Sequence, residues 1–126
     1  MCGRVLLDSG IIEMIQKFRI KNRLVDDYEK GELFPSQNLP IVLEQDGRTI
    51  TLGKWGFALS FRKSLIINAR AETIMEKIIF KEAVATTRCV IPANMFFEWK
   101  DQGGGKKAKY RIGLQNSDIM ALGGIY

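Results

Sequence analysis

Apolar residues in this chain come in short runs broken by turn-forming residues, and that spacing constrains the fold more than any other feature. Val5–Leu7 reads as a short strand. Leu39–Gln45 and Arg48–Lys54 read as a hairpin around Asp46-Gly47, a dipeptide suited to the positive φ of a two-residue turn. After Trp55-Gly56-Phe57, Ser64–Ala71 is expected to be extended. Arg88–Pro92 and Met95–Lys100 look like core strands, and the flexible turn Gly103-Gly104-Gly105 leads to strands at Tyr110–Leu114 and Ile119–Ile125. Two stretches carry helical spacing instead. Ile11, Ile12, Ile15 and Phe18 recur on one face behind Asp8 and Ser9, whose oxygens are candidate N-caps. Thr73-Ile74-Met75-Glu76 resembles a capping box opening a helix to about Val84, with Ile74, Ile78 and the Ile79/Phe80 pair buried. Lys21 to Asn38 is polar and irregular. The sum predicts an α+β fold with a curled, barrel-like, mainly antiparallel sheet and a few short helices.

The 126 residues suffice for one sizeable core and not for two. A hydrophobic fraction of 46% and a charged fraction of 26% are those of an ordinary soluble globular chain. No run is apolar enough to span a bilayer, and no basic leader precedes an apolar stretch, so no membrane partner and no secretion are expected. Cys2 and Cys89 are too few and too far apart for a disulfide framework, which suits a reducing cytoplasm. A net charge of +5 favours polyanions without identifying one, and Lys17, Arg19, Lys21 and Arg23 would serve equally as a solvated face. The chain has no histidine. That excludes Cys–His and Ser–His catalysis within this polypeptide and argues against a transition-metal site; nothing calls for a cofactor. Ile119–Tyr126 is apolar and stops without a polar cap, so this edge is expected to be covered by further chain or by self-association.

Four places carry candidate chemistry. Removal of Met1 would leave Cys2 with a free α-amine beside its thiol. Such a 1,2-aminothiol condenses with an aldehyde to a Schiff base and closes to a thiazolidine, which an internal cysteine cannot do. The plain alternative is that a cysteine after methionine is an accident. If Asn68-Ala69-Arg70-Ala71-Glu72 is extended, Asn68, Arg70 and Glu72 share one face and the alanines the other. That face is either a site floor or an ordinary polar surface entering the second helix. Glu98 stands among large apolar residues; buried, it would suit proton shuttling, and solvated it would titrate ordinarily. Cys89 reads as a small core hydrophobe. Trp55 and Phe57 are either stacking platforms for unpaired bases or core, while Arg4, Arg62 and Lys63 could add phosphate contacts.

In order and spacing, several segments together resemble one family. They are Met1-Cys2-Gly3-Arg4, Phe34-Pro35-Ser36-Gln37 with Pro40, Trp55-Gly56-Phe57, Ile67-Asn68-Ala69-Arg70-Ala71-Glu72-Thr73, and Arg88-Cys89-Val90-Ile91-Pro92-Ala93 running into Phe97-Glu98-Trp99-Lys100. The chain is similar along all 126 residues to the SRAP (SOS-response-associated peptidase) family. The resemblance implies covalent capture of abasic sites in single-stranded DNA, through a thiazolidine on Cys2 after autocatalytic loss of Met1. It implies that Asn68 orients the Cys2 amine and the deoxyribose and that Glu98 shuttles protons. Arg4 and Arg70 would hold phosphates, Trp55 and Phe57 would bound the DNA channel, and the setting would be the cytoplasm, at the nucleoid.

Two departures accompany the resemblance. Family members are longer and carry an active-site histidine in their C-terminal half, so residues 1–126 are expected to form the N-terminal portion of a single SRAP-like domain, or half of a split or swapped one. Ring opening and crosslink reversal would suffer from the missing acid/base group. While Met1 is present, the Cys2 nitrogen is an amide. The competing expectations are a non-catalytic single-strand binder and a structural piece needing a second chain; a general protease is least favoured.

Overall fold

The computed structural model describes residues 2–126, so the expected loss of Met1 lies outside it. The chain forms an α+β fold. In order, the elements are strand β1 (Val5–Leu7), helix α1 (Ile11–Phe18), strands β2 (Asn22–Arg23), β3 (Gly31–Leu33), β4 (Asn38–Glu44), β5 (Arg48–Lys54), β6 (Phe57–Leu59) and β7 (Arg62–Ile66), helix α2 (Ile78–Thr86), and strands β8 (Arg88–Ala93), β9 (Met95–Asp101), β10 (Lys107–Ile112) and β11 (Met120–Ile125). A first sheet runs β10-β9-β1-β3, a second β11-β8-β4-β5-β2, and β6 and β7 make a separate ribbon. Among the described residues, every pairing is antiparallel except that of β2 with β5. The sheets curl over a shared core without closing into a barrel.

Local chemistry explains most elements. The β4–β5 hairpin turns at the expected dipeptide, where Asp46 (φ 50°) and Gly47 (φ 99°) are both left-handed. The pairing of Glu44 with Arg48 makes the loop three residues, one longer than expected. Five consecutive β4 residues, Leu39 to Leu43, are buried because this strand is central and covered on both faces. Its pairing with β8 reduces to Val42 opposite Val90. In the same register Pro40 faces Pro92, both fully buried, and neither ring nitrogen can donate to a ladder, so the two strands part there.

Both helices differ from expectation in detail. Neither Asp8 nor Ser9 caps α1: the N-cap is Gly10, and the Glu13 carboxylate accepts its N–H at 3.0 Å. The buried face of α1 is Met14 and Phe18, while Ile12 is exposed. The second helical stretch breaks at Lys77 into a 3₁₀ turn, Ile74–Glu76, and α2, and Thr73 makes no side-chain cap. Ile78 and Ile79 are exposed; only Phe80 of that set is buried, its ring centroid 6.0 Å from that of Phe57. No described helix is long and apolar enough to cross a membrane.

Asn94 joins the two sheets. It is the single residue between β8, in the second sheet, and β9, in the first. Its Oδ1 accepts the N–H groups of Asp8 (2.7 Å) and Ser9 (3.2 Å). Its Nδ2 donates to Ser9 Oγ (3.0 Å) and the Asp118 carbonyl (2.6 Å), and its backbone N–H donates to the Leu6 carbonyl (2.8 Å). Asn94→Ala removes four of these bonds and leaves the N–H of buried Ser9 without its acceptor, and should cost about 1–2 kcal/mol in urea unfolding. A loss below about 0.5 kcal/mol, the scatter of surface substitutions, would refute the role.

Burial raises the Cys89 thiol from 9.0 to about 11. The Tyr28 phenol, which donates to the Ser9 carbonyl at 2.8 Å, rises from 10.0 to about 12, first by burial and then by the charges of Glu13 and Asp27. Folded values above the unfolded ones mean stability that is complete below pH 9 and lost as pH rises through the folded values. The urea midpoint should therefore fall between pH 9 and about 11, and fall less in Cys89→Ala. Equal slopes in the two proteins would exclude the thiol as a source.

Candidate functional site

An apolar cleft of about 680 Å³ lies against the second sheet. Leu39 and Ile41 of β4, Ile91 of β8 and Leu122 of β11 line it on that side, with Phe57 of β6 and Phe80 of α2 elsewhere on its wall. Gly124 lets β11 lie close to β8: a Cβ there would meet Cys89 Sγ and Ile91 Cδ1, each at 2.8 Å. Cys2, Asn68 and Trp55 also line this cleft.

Residues 2–4 approach the cleft ahead of β1. Asn68 Nδ2 donates to the Cys2 carbonyl at 2.5 Å, and the half-buried Cys2 thiol donates to the Arg4 carbonyl at 3.4 Å. Burial raises the Cys2 pKa above 9.0, opposed by the bond to Arg4, and the charge of Glu98 raises it further. The thiol is therefore mostly neutral at physiological pH. Glu98 projects from β9 on the same strand face as Phe96, which also lines the cleft. The fold thus brings Cys2, Asn68 and Glu98 together.

The expected alternation around Asn68 is not observed. Strand β7 ends at Ile66, because β6 offers it no partner beyond the Phe57–Ile66 pair. The Ile67 carbonyl instead accepts the Trp55 indole N–H at 2.9 Å, and Thr73 N–H closes a turn on the Arg70 carbonyl at 3.1 Å. Asn68, Ala69 and the exposed Ala71 line the cleft, while Arg70 and Glu72, also exposed, do not. The Arg70 guanidinium has no partner among the described residues. Trp55 and Phe57 form part of the cleft wall, Trp55 packing against the main core.

Arg4 is engaged within the protein. Its Nη1 donates to Glu32 Oε2 at 3.0 Å, and its guanidinium lies 4.7 Å from the Phe34 ring centroid and 5.0 Å from that of Trp99. Glu32 and Lys109, which surround it, were not apparent as site residues in the sequence. Glu32 sits in the polar stretch before β4 and Lys109 beyond the glycine turn, with no local pattern marking either. Only the pairings of Leu6 with Glu32 and of Trp99 with Lys109 bring them to Arg4.

Known proteins resemble this chain throughout. The Bacillus subtilis protein named abasic site processing protein YoqW is 37% identical over 135 residues, an alignment covering all of this chain and 60% of YoqW. YoaM of the same organism, with the same descriptive name, is 37% identical over 138 residues, covering all of this chain and 59% of YoaM. Among solved structures, a phage-related protein from Bordetella bronchiseptica superposes with a TM-score of 0.81 at 22% identity, over 98% of this chain and 60% of that one. A protein from Bacteroides thetaiotaomicron gives 0.78 at 23% identity, over 98% and 59%. These structures establish the fold, and the chain spans about three-fifths of the length of the relatives it matches. From residue 1 to residue 126 it matches the family described as SOS response associated peptidase (SRAP), and it belongs to that family.

Proposed function

We propose that this chain is the N-terminal portion of a SRAP-like domain that captures abasic sites in single-stranded DNA through Cys2. The observation that carries the proposal is the hydrogen bond from Asn68 to the Cys2 carbonyl, which holds the arm beside the cleft with Glu98 in electrostatic reach. Relatives named as abasic site processing proteins support the substrate class.

The chemistry begins once Met1 is removed and the Cys2 amine is free. An abasic deoxyribose opens when its C1′–O4′ bond breaks; the C1′ hydroxyl loses a proton and O4′ gains one, leaving an aldehyde at C1′. Glu98 carries that proton across. An α-amine titrates near 7.7–8.0, so a useful fraction is unprotonated at physiological pH and attacks the aldehyde, releasing one water as the imine forms. The Cys2 sulfur then bonds to C1′ while its proton passes to the imine nitrogen, closing the thiazolidine. Asn68 orients the arm for both attacks, and Arg70, whose guanidinium is exposed, takes a phosphate. Trp55 and Phe57 bound the channel on the cleft side. Arg4 acts on DNA less directly, since Glu32 and two rings already hold its guanidinium.

Protein with a confirmed Cys2 N-terminus should form a denaturation-resistant adduct with a single strand bearing one abasic site, and none with the intact strand. Cys2→Ala should abolish it, and Asn68→Ala and Glu98→Gln should slow it by roughly 10²-fold without loss of folding. A folded sample that binds both strands equally and yields no adduct would overturn this reading in favour of simple single-strand binding.

A further inference from the structure

Arg4 is one attachment of the segment that carries Cys2, beside the contacts of Cys2 itself. Residues 2–4 precede β1, and the ladder to β9 reaches no further along them than Arg4. Besides Asn68 on the Cys2 carbonyl, the arm is fixed at Arg4, whose carbonyl accepts Phe97 N–H at 3.1 Å and whose guanidinium stacks between Phe34 and Trp99. Glu32 closes the arrangement. One carboxylate oxygen takes Arg4 Nη1 at 3.0 Å and the other takes Lys109 Nζ at 3.2 Å. Lys109 itself lies 4.1 Å from the Phe97 centroid and 5.8 Å from that of Trp99. The clamp therefore joins the arm to β3, β9 and β10, all of the first sheet.

We propose that Glu32 is a positioning residue: its carboxylate locks Arg4 between two rings, and through Arg4 it fixes the Cys2 backbone and thiol against Asn68 and Glu98. Without the carboxylate, two neighbouring cations lose their shared counter-charge and repel, so Arg4 leaves its slot and the arm loosens. The same cations then become available to DNA phosphates. Loss of Glu32 should consequently separate two properties that general unfolding would lower together: the strand is held at least as well, while the reaction at Cys2 slows. This inference rests on the functional reading given above.

The test compares wild type, Glu32→Gln and Glu29→Gln, the last removing the same charge from a neighbouring exposed position outside the clamp. Native maleimide labelling of Cys2, with buried Cys89 as the internal reference, should rise about fivefold in Glu32→Gln, equivalent to roughly 1 kcal/mol of lost restraint. At saturating abasic single strand the adduct rate should fall by about the same factor, with affinity for the intact strand undiminished. Glu29→Gln should match wild type in all three. An adduct rate in Glu32→Gln equal to that of wild type overturns the proposal. If wild type yields no adduct, the functional reading fails, and the labelling ratio decides the clamp, a ratio near one overturning it.

Discussion

One carboxamide holds the two sheets in register. Strands β8 and β9 are consecutive yet belong to different sheets, and the chain must change direction within Asn94 alone. A corner that tight leaves backbone donors facing no ladder. The Asn94 side chain satisfies the N–H groups of Asp8 and Ser9 at the entrance to α1, and its other end reaches Ser9 Oγ and the carbonyl of Asp118, just before β11. Three distant segments thus meet on one side chain. Because four hydrogen bonds converge on this half-buried side chain, a shift of the corner gives up several of them at once.

The geometry of the cleft follows from that corner. With β8 in one sheet and β9 in the other, Ile91 contributes to the cleft wall from the second sheet while Phe96 and Glu98 reach the site from the first. The opposed prolines, Pro40 and Pro92, keep β4 and β8 from zipping together beyond Val42 and Val90, which leaves the second sheet curled. The arm bearing Cys2 then carries the candidate nucleophile into an otherwise apolar setting. The other thiol, Cys89, is buried under Gly124 and raised to about 11.

Features set by neighbouring residues were legible in the sequence. Strand β1, the hairpin at Asp46-Gly47, and strands β8, β9 and β11 follow from local apolar runs and turn residues, and the structure contains them, whereas β10 begins three residues before the expected Tyr110–Leu114, in a basic stretch that pairs with β9. Cys2 could be singled out because its chemistry depends on its place in the chain rather than on its surroundings. The second helix misled because Ile78 and Ile79 are apolar yet exposed, its burial resting chiefly on Phe80. The face around Asn68 misled because alternation requires a paired strand, and β7 runs out of partner at Ile66. Asn94, Glu32 and Lys109 were illegible for a different reason. Their partners lie tens of residues away, and only sheet register brings them together.

The enclosure of Arg4 has a consequence for how the protein would respond to ionic strength. The guanidinium is held by contact with two aromatic rings, which dissolved ions screen poorly, and by the partly exposed Glu32 carboxylate, whose pull they weaken. Phosphate contacts made by an open cation such as Arg70 are counterion-dependent and weaken steeply as electrolyte is added. On the proposed reading, added electrolyte therefore weakens strand binding and the Glu32 ion pairs alike, leaving the two ring contacts of Arg4 as the salt-resistant hold on the arm.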